Sequence, residues 1–108
     1  MKVLINRFWN RIEICCNDKA IIIHDMIYPI YRDYHIEDLK EFKEDADNLV
    51  VLEGDVSEHF LFSGVDGEYI YLDTNVDTGE IELWGTDGKR NSGLDCYAEY
   101  KNDKWYVA

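Results

Sequence analysis

One proline, three cysteines and eleven basic side chains are the scarcities of this 108-residue chain. With Pro29 as its single proline and no repeat or low-complexity stretch, the chain shows no linker along which it would divide. A length of 108 residues therefore predicts one domain. An odd cysteine count argues against a disulfide framework. Cys15 and Cys16 are adjacent, and neighbours on a strand point to opposite faces, so free thiols in a reducing compartment are expected. Long apolar runs are missing as well. Nothing approaches the roughly 20 residues of a membrane span. Residues 3–5 are too short for the apolar centre of a signal peptide, and Asn6 and Arg7 close them. A cytoplasmic protein is the expectation.

The shortage of bases is regional. Residues 33–82 hold sixteen acids and two bases, a net charge of −14 in a chain whose total is −12. The flanking segments nearly balance. With so few Lys and Arg to replace counterions, direct nucleic-acid binding is disfavoured, and no glycine motif that could cradle phosphate is present. A negative field concentrated in this way repels nucleic acid and anionic membrane, and it speeds encounters with a basic partner.

Apolar and aromatic residues are plentiful. Hydrophobic side chains make up 46% of the sequence and aromatics 14%, which excludes a disordered acidic tail. A chain of this size can bury roughly 60–70% of its unfolded surface.

Most of the patterning is β. Residues 11–24 read as a hairpin turning at Asn17-Asp18-Lys19, and its second arm is apolar on both faces, as in a strand central to a sheet. Residues 49–52, 60–62, 69–72, 81–84, 95–100 and 104–107 read as further strands. The turns between them are marked by Asp66-Gly67, Thr78-Gly79, Asp87-Gly88 and Asn102-Asp103. Residues 36–48 read differently. Ile36, Leu39, Phe42 and Ala46 form one apolar stripe at helical spacing. The expected architecture is α+β: a curved antiparallel β-sheet, a meander, with one main amphipathic helix packed on it.

That helix would carry acids that a helix built only for stability would avoid. Glu37/Glu41 and Glu41/Asp45 are i,i+4 repulsions, and Asp45 and Asp47 oppose the dipole at the C-terminal end. The candidate partner-binding set is therefore Glu37, Asp38, Glu41, Glu44, Asp45 and Asp47, continued by Glu53, Asp55 and Glu58. Carboxylates suit this role because Arg binds them bidentately. A solvated face that aids solubility is the alternative. Tyr28, Tyr31 and Tyr34 precede the stripe, and Tyr31 and Tyr34 join the set as interface anchors, with core packing as their alternative.

Other chemistry has weaker signals. Asp73, Asn75 and Asp77 fit the first ligand positions of a calcium loop, but Thr78 stands where its glycine belongs and Trp84 where its final Glu belongs. A hairpin loop is the better reading. Asp55, Glu58 and His59, or His24 with Asp25, match no strong metal spacing. Cys15, Cys16 and Cys96 lack the cations that activate a thiol. Ser57, Ser63 and Ser92 lie in no nucleophile-elbow context. Neither a cofactor nor a metal is expected, nor catalysis.

Residues 62–84, with Gly64-Val65-Asp66-Gly67-Glu68-Tyr69-Ile70-Tyr71, Asp73-Thr74 and Thr78-Gly79, resemble a segment of the SMI1/KNR4-type (SUKH) proteins. Many members of that family are immunity proteins that neutralise toxin domains, nucleases among them. The resemblance implies the same class here. Three functions are thus expected, in order. The first is a non-enzymatic inhibitor covering the basic cleft of a cognate toxin, such as a nuclease. The second is a phage or plasmid anti-defence protein (anti-CRISPR or anti-restriction) that mimics DNA charge. The third is a small-ligand module or an enzyme.

Overall fold

The computed structural model describes residues 1–24, 35–63, 69–75, 77–86 and 95–108. Ten strands account for most of them: β1 (Lys2–Arg7), β2 (Ile12–Cys16), β3 (Lys19–His24), β4 (His35–Leu39), β5 (Leu49–Glu53), β6 (Val56–Ser63), β7 (Tyr69–Asn75), β8 (Glu80–Thr86), β9 (Asp95–Lys101) and β10 (Lys104–Val107). They form two five-stranded antiparallel sheets, ordered β4-β3-β2-β1-β5 and β10-β9-β8-β7-β6. The fold is all-β, and the expected α+β architecture with a main helix is overturned: no helix occurs among the described residues.

Alternation builds the core. Val3 and Ile5, Ile12 and Ile14, and Ile21 and Ile23 face inward from the first sheet, while Ile70, Leu72, Ile81 and Leu83 face inward from the second. All are essentially inaccessible to water, and each contributes about 2 kcal/mol through burial. β-branched side chains dominate because they fit a pleated, half-buried surface. Asn17 and Asp18 turn β2 into β3, and Asn102 and Asp103 turn β9 into β10. All four have positive φ, which short polar residues tolerate.

The two sheets meet at both sides. Gly54, at φ +73°, passes the chain from β5 to β6. Buried Thr74 latches that corner: its hydroxyl donates to Gly54 O at 2.6 Å and accepts from Val56 N at 2.8 Å. On the other side Trp105 Nε1 donates to Lys19 O at 3.1 Å, and Asn17 Nδ2 donates to Tyr100 OH at 3.3 Å.

The residues predicted to be helical divide in two. Ile36 to Leu39 belong to β4, where Ile36 pairs with Ile23 and Leu39 with Ala20. β3 is apolar on both faces and needs a neighbour on each edge. Satisfying that non-local demand outweighs the local helical stripe. β4 and β5 are opposite edges of the first sheet, so residues 40–48 must cross it. They do so as an irregular strap over its outer face. Asn6, 1% exposed, anchors the crossing. Its Nδ2 donates to Lys43 O and to Glu13 Oε1, both at 2.8 Å, and its Oδ1 accepts from Asp45 N at 3.0 Å.

Candidate acidic and aromatic docking surfaces

The nine candidate acids are distributed over several elements of the fold. Glu37 and Asp38 lie on β4, and Glu37 meets His24 Nε2 at 2.5 Å. Glu41, Glu44, Asp45 and Asp47 lie on the strap. Asp45 is partly structural there: its Oδ1 accepts from Asp47 N and from Asn48 Nδ2, both at 3.1 Å. Glu53 ends β5 and pairs with Lys2 at 3.7 Å. Asp55 and Glu58 belong with the second sheet. Tyr31 and Tyr34, with Tyr28 before them, lie outside the described residues.

A second acidic group sits on the outer face of the second sheet. Asp73 is opposite Glu82, and Glu82 is opposite Glu99, so three carboxylates share one cross-strand row. Like charges placed this way are mutually destabilising. Lys101 relieves one of them through a 2.9 Å pair with Glu99. Asp73 Oδ1 accepts from Glu58 N at 2.7 Å. Glu58 has φ +51° at a register shift in β6. This bulge tilts the edge of the sheet beside the row. Asp55, Asp73, Glu80 and Glu82 line a depression of about 260 Å³ there.

Aromatic rings adjoin the row. Phe60 meets Tyr69 edge-on at 5.5 Å and Tyr71 at 6.4 Å, and Tyr69 stacks on Tyr71 at 5.8 Å. Trp84 is opposite Tyr71. Phe60 is 51% exposed. Burial and the charges of Asp73, Glu58 and Glu82 push the Tyr71 phenol above its ordinary range, so it stays protonated. Sequence reasoning overlooked this cluster. The signal was there in the strand period: Tyr69, Tyr71 and Asp73 share one face of β7, and Glu80, Glu82 and Trp84 share one face of β8.

Catalytic alternatives gain little. A groove of about 550 Å³ is lined by Arg7, Phe8, Trp9, Asp47, Asn48 and Ser63 among others, and Arg7 is committed in part to Leu61 O at 3.1 Å. Burial raises the pKa of Cys15, Cys16 and Cys96, which keeps them as thiols and makes them poor nucleophiles. No group of three or more His, Cys, Asp or Glu among the described residues could hold a metal ion. Asn75 Oδ1 accepts from Asp77 N at 3.0 Å, a turn bond within the β7–β8 hairpin rather than a calcium geometry. His59 Nε2 is buried without a partner, and burial together with Arg7 lowers its pKa. Among the described residues, no helix is long and apolar enough to cross a membrane.

Comparison of the chain with protein-family models, curated proteins and solved structures gives no match.

Proposed function

We propose that this chain is a non-enzymatic inhibitor that binds a basic protein partner and neutralises it. An immunity protein covering the active-site cleft of a cognate toxin, a nuclease for example, fits best. One observation carries the reading: the described carboxylates of residues 35–82, on the strands and on the strap between β4 and β5, all lie at least partly exposed and are largely left without ion pairs. Among the described residues, ion pairs engage Glu37, Glu41 and Glu53 from that segment, and none engages Glu44, Asp47, Glu58, Glu80 or Glu82. Such a surface presents its charge to a partner already fixed in place, so little ordering opposes binding. Such an inhibitor would act in the cytoplasm, where its thiols stay reduced. The likeness of residues 62–84 to SUKH immunity proteins points to the same class.

The test is affinity capture of the intact chain's partner from its native host, identified by mass spectrometry, with inspection of the adjoining gene. A basic toxin, encoded beside this chain and losing activity on binding, is the expected result. A captured partner that is acidic or neutral, or one whose activity survives saturation with the protein, would overturn the reading.

A further inference from the structure

The two sheets end in β4, β5, β6 and β10, and all of these edges but one are guarded. β4 and β10 lie against each other where the sheets close, with Asp38, Leu39, Lys104 and Trp105 lining one depression. β6 is bent by register shifts, and Arg7 Nη2 caps its Leu61 O at 3.1 Å. Bulges and charged side chains of this kind keep a strand edge from pairing further.

β5 has no such guard. Leu49–Glu53 keeps one unbroken register with β1 and contains no bulge, proline or lysine. Arg7 N donates to Asn48 O at 3.0 Å and Gly54 N to Met1 O at 3.1 Å, which fixes the phase of the ladder. Antiparallel bonding alternates, so Val50 and Leu52 bond to β1, while Leu49, Val51 and Glu53 turn their N–H and C=O away from it. Among the described residues, no strand pairs with that side of β5. Val51 is 44% exposed, and Val50 packs on the core only half-buried although its partner Ile5 is fully buried. β5 and β6 meet at Gly54, and the groove of about 550 Å³ opens between their far ends, with Leu49 and Val50 on one wall and Leu61 and Phe62 on the other.

An unpaired edge takes another strand through its main-chain groups, and the flanking charges select which strand. Both ends of β5 are acidic: Asp47 lies just before it, and Glu53 and Asp55 lie at its far end. A second copy paired antiparallel about Val51 would set Asp47 of each chain against Asp55 of the other, in a molecule of net charge −12. A basic strand meets attraction there instead. We infer that the free edge of β5 receives an extended segment of the basic partner as a further strand of the first sheet. The segment bonds to the main chain of Leu49, Val51 and Glu53, lays alternate apolar side chains in the groove, and carries Lys or Arg at its ends beside Asp47 and Asp55. This deepens the proposed function and rests on it: the partner is basic, and what it contributes is a strand.

The probe is the peptide Lys-Val-Thr-Val-Thr-Val-Lys, added to the isotope-labelled intact chain at low salt, with amide exchange read by NMR. Exchange at Leu49, Val51 and Glu53 should slow at least about tenfold. Val51→Pro removes a donor that is turned away from β1, and Val51→Lys leaves the backbone whole while placing a cation on the edge. Each should weaken peptide binding at least about tenfold. Should Val51→Pro fail to fold, Val51→Lys, at an exposed position, carries the test alone. A peptide ended by Glu in place of Lys should bind at least about fivefold more weakly. No binding, protection on β4 or β6 in place of β5, or equal binding of the two peptides would overturn the inference. A dimer in sedimentation, with the same amides protected in the absence of peptide, would overturn it in favour of a second copy. All of these results leave the acidic-inhibitor reading standing, since that reading falls only if the captured partner is acidic or neutral, or stays active when saturated.

Discussion

The two sheets treat their outer faces differently. The first is covered. Its outward residues Asn6, Cys15, Ala20 and Ile22 are all buried, and the acidic strap lies across that side. The second is only partly covered: Phe60 is half exposed beside a row of partly exposed carboxylates, while Tyr71, opposite Phe60, is buried. Acids in the strap belong to a crossing segment that the topology requires. Acids in the Asp73–Glu82–Glu99 row are fixed by strand register at a stability cost that nothing in the fold requires. The comparison teaches that acid density along a sequence does not locate a docking face; register and exposure do.

The largest effect should come from breaking the covered side. Asn6→Leu removes three hydrogen bonds and leaves Lys43 O and Asp45 N without their partner. The loss should be about 3 kcal/mol, read as a clear fall in Tm, with faster amide exchange in residues 43–45. Gly85→Ala should come next. A Cβ there would lie 2.4 Å from the Tyr97 ring and 2.9 Å from Tyr69 O, and thermal denaturation should show a loss of about 2 kcal/mol. On the second sheet, Phe60→Ala should lower stability by only about 1 kcal/mol, since it loses edge-on ring contacts but little buried area.

The smallest effect concerns His59. Its pKa is lowered in the folded state, so the folded protein binds fewer protons than the unfolded chain just below the ordinary value of 6.5. Stability should therefore fall as pH drops through 6.5 and level off once the folded-state pKa is passed. His59→Gln should flatten that part of the profile in denaturant melts at pH 5 to 7. An unchanged slope would assign the pH dependence to other groups.

Much of the β framework was legible because its signals are local. Asn17-Asp18 and Asn102-Asp103 announced their turns, and the alternation of residues 95–100 puts Cys96, Ala98 and Tyr100 on one side, of which Ala98 and Tyr100 are buried while Cys96, at a register shift, is only half-buried. The helix over residues 36–48 was misread because its stripe is equally local, whereas the demand that overrides it is not. Ile36 is claimed by Ile23, and residues 40–48 by the need to reach β5 on the far edge. The repulsive pairs Glu37/Glu41 and Glu41/Asp45 are themselves local evidence against a helix there. The acidic set was legible as composition but not as a surface, since sequence does not tell that Asp45 faces Asn6 or that Asp73 faces Glu82. Asn6 reads in the sequence only as the polar residue that closes the run 3–5; its anchoring of residues 43–45 is non-local and leaves no local signal.

The central claim is that fixed outward carboxylates steer a cationic protein to this one. Its most direct test is the association rate of the captured partner between 0.1 M and 1 M salt, over which the screening length shrinks from about 10 Å to 3 Å. The account predicts a fall of at least about tenfold, with dissociation changing much less. A rate that stays the same across that range would contradict it.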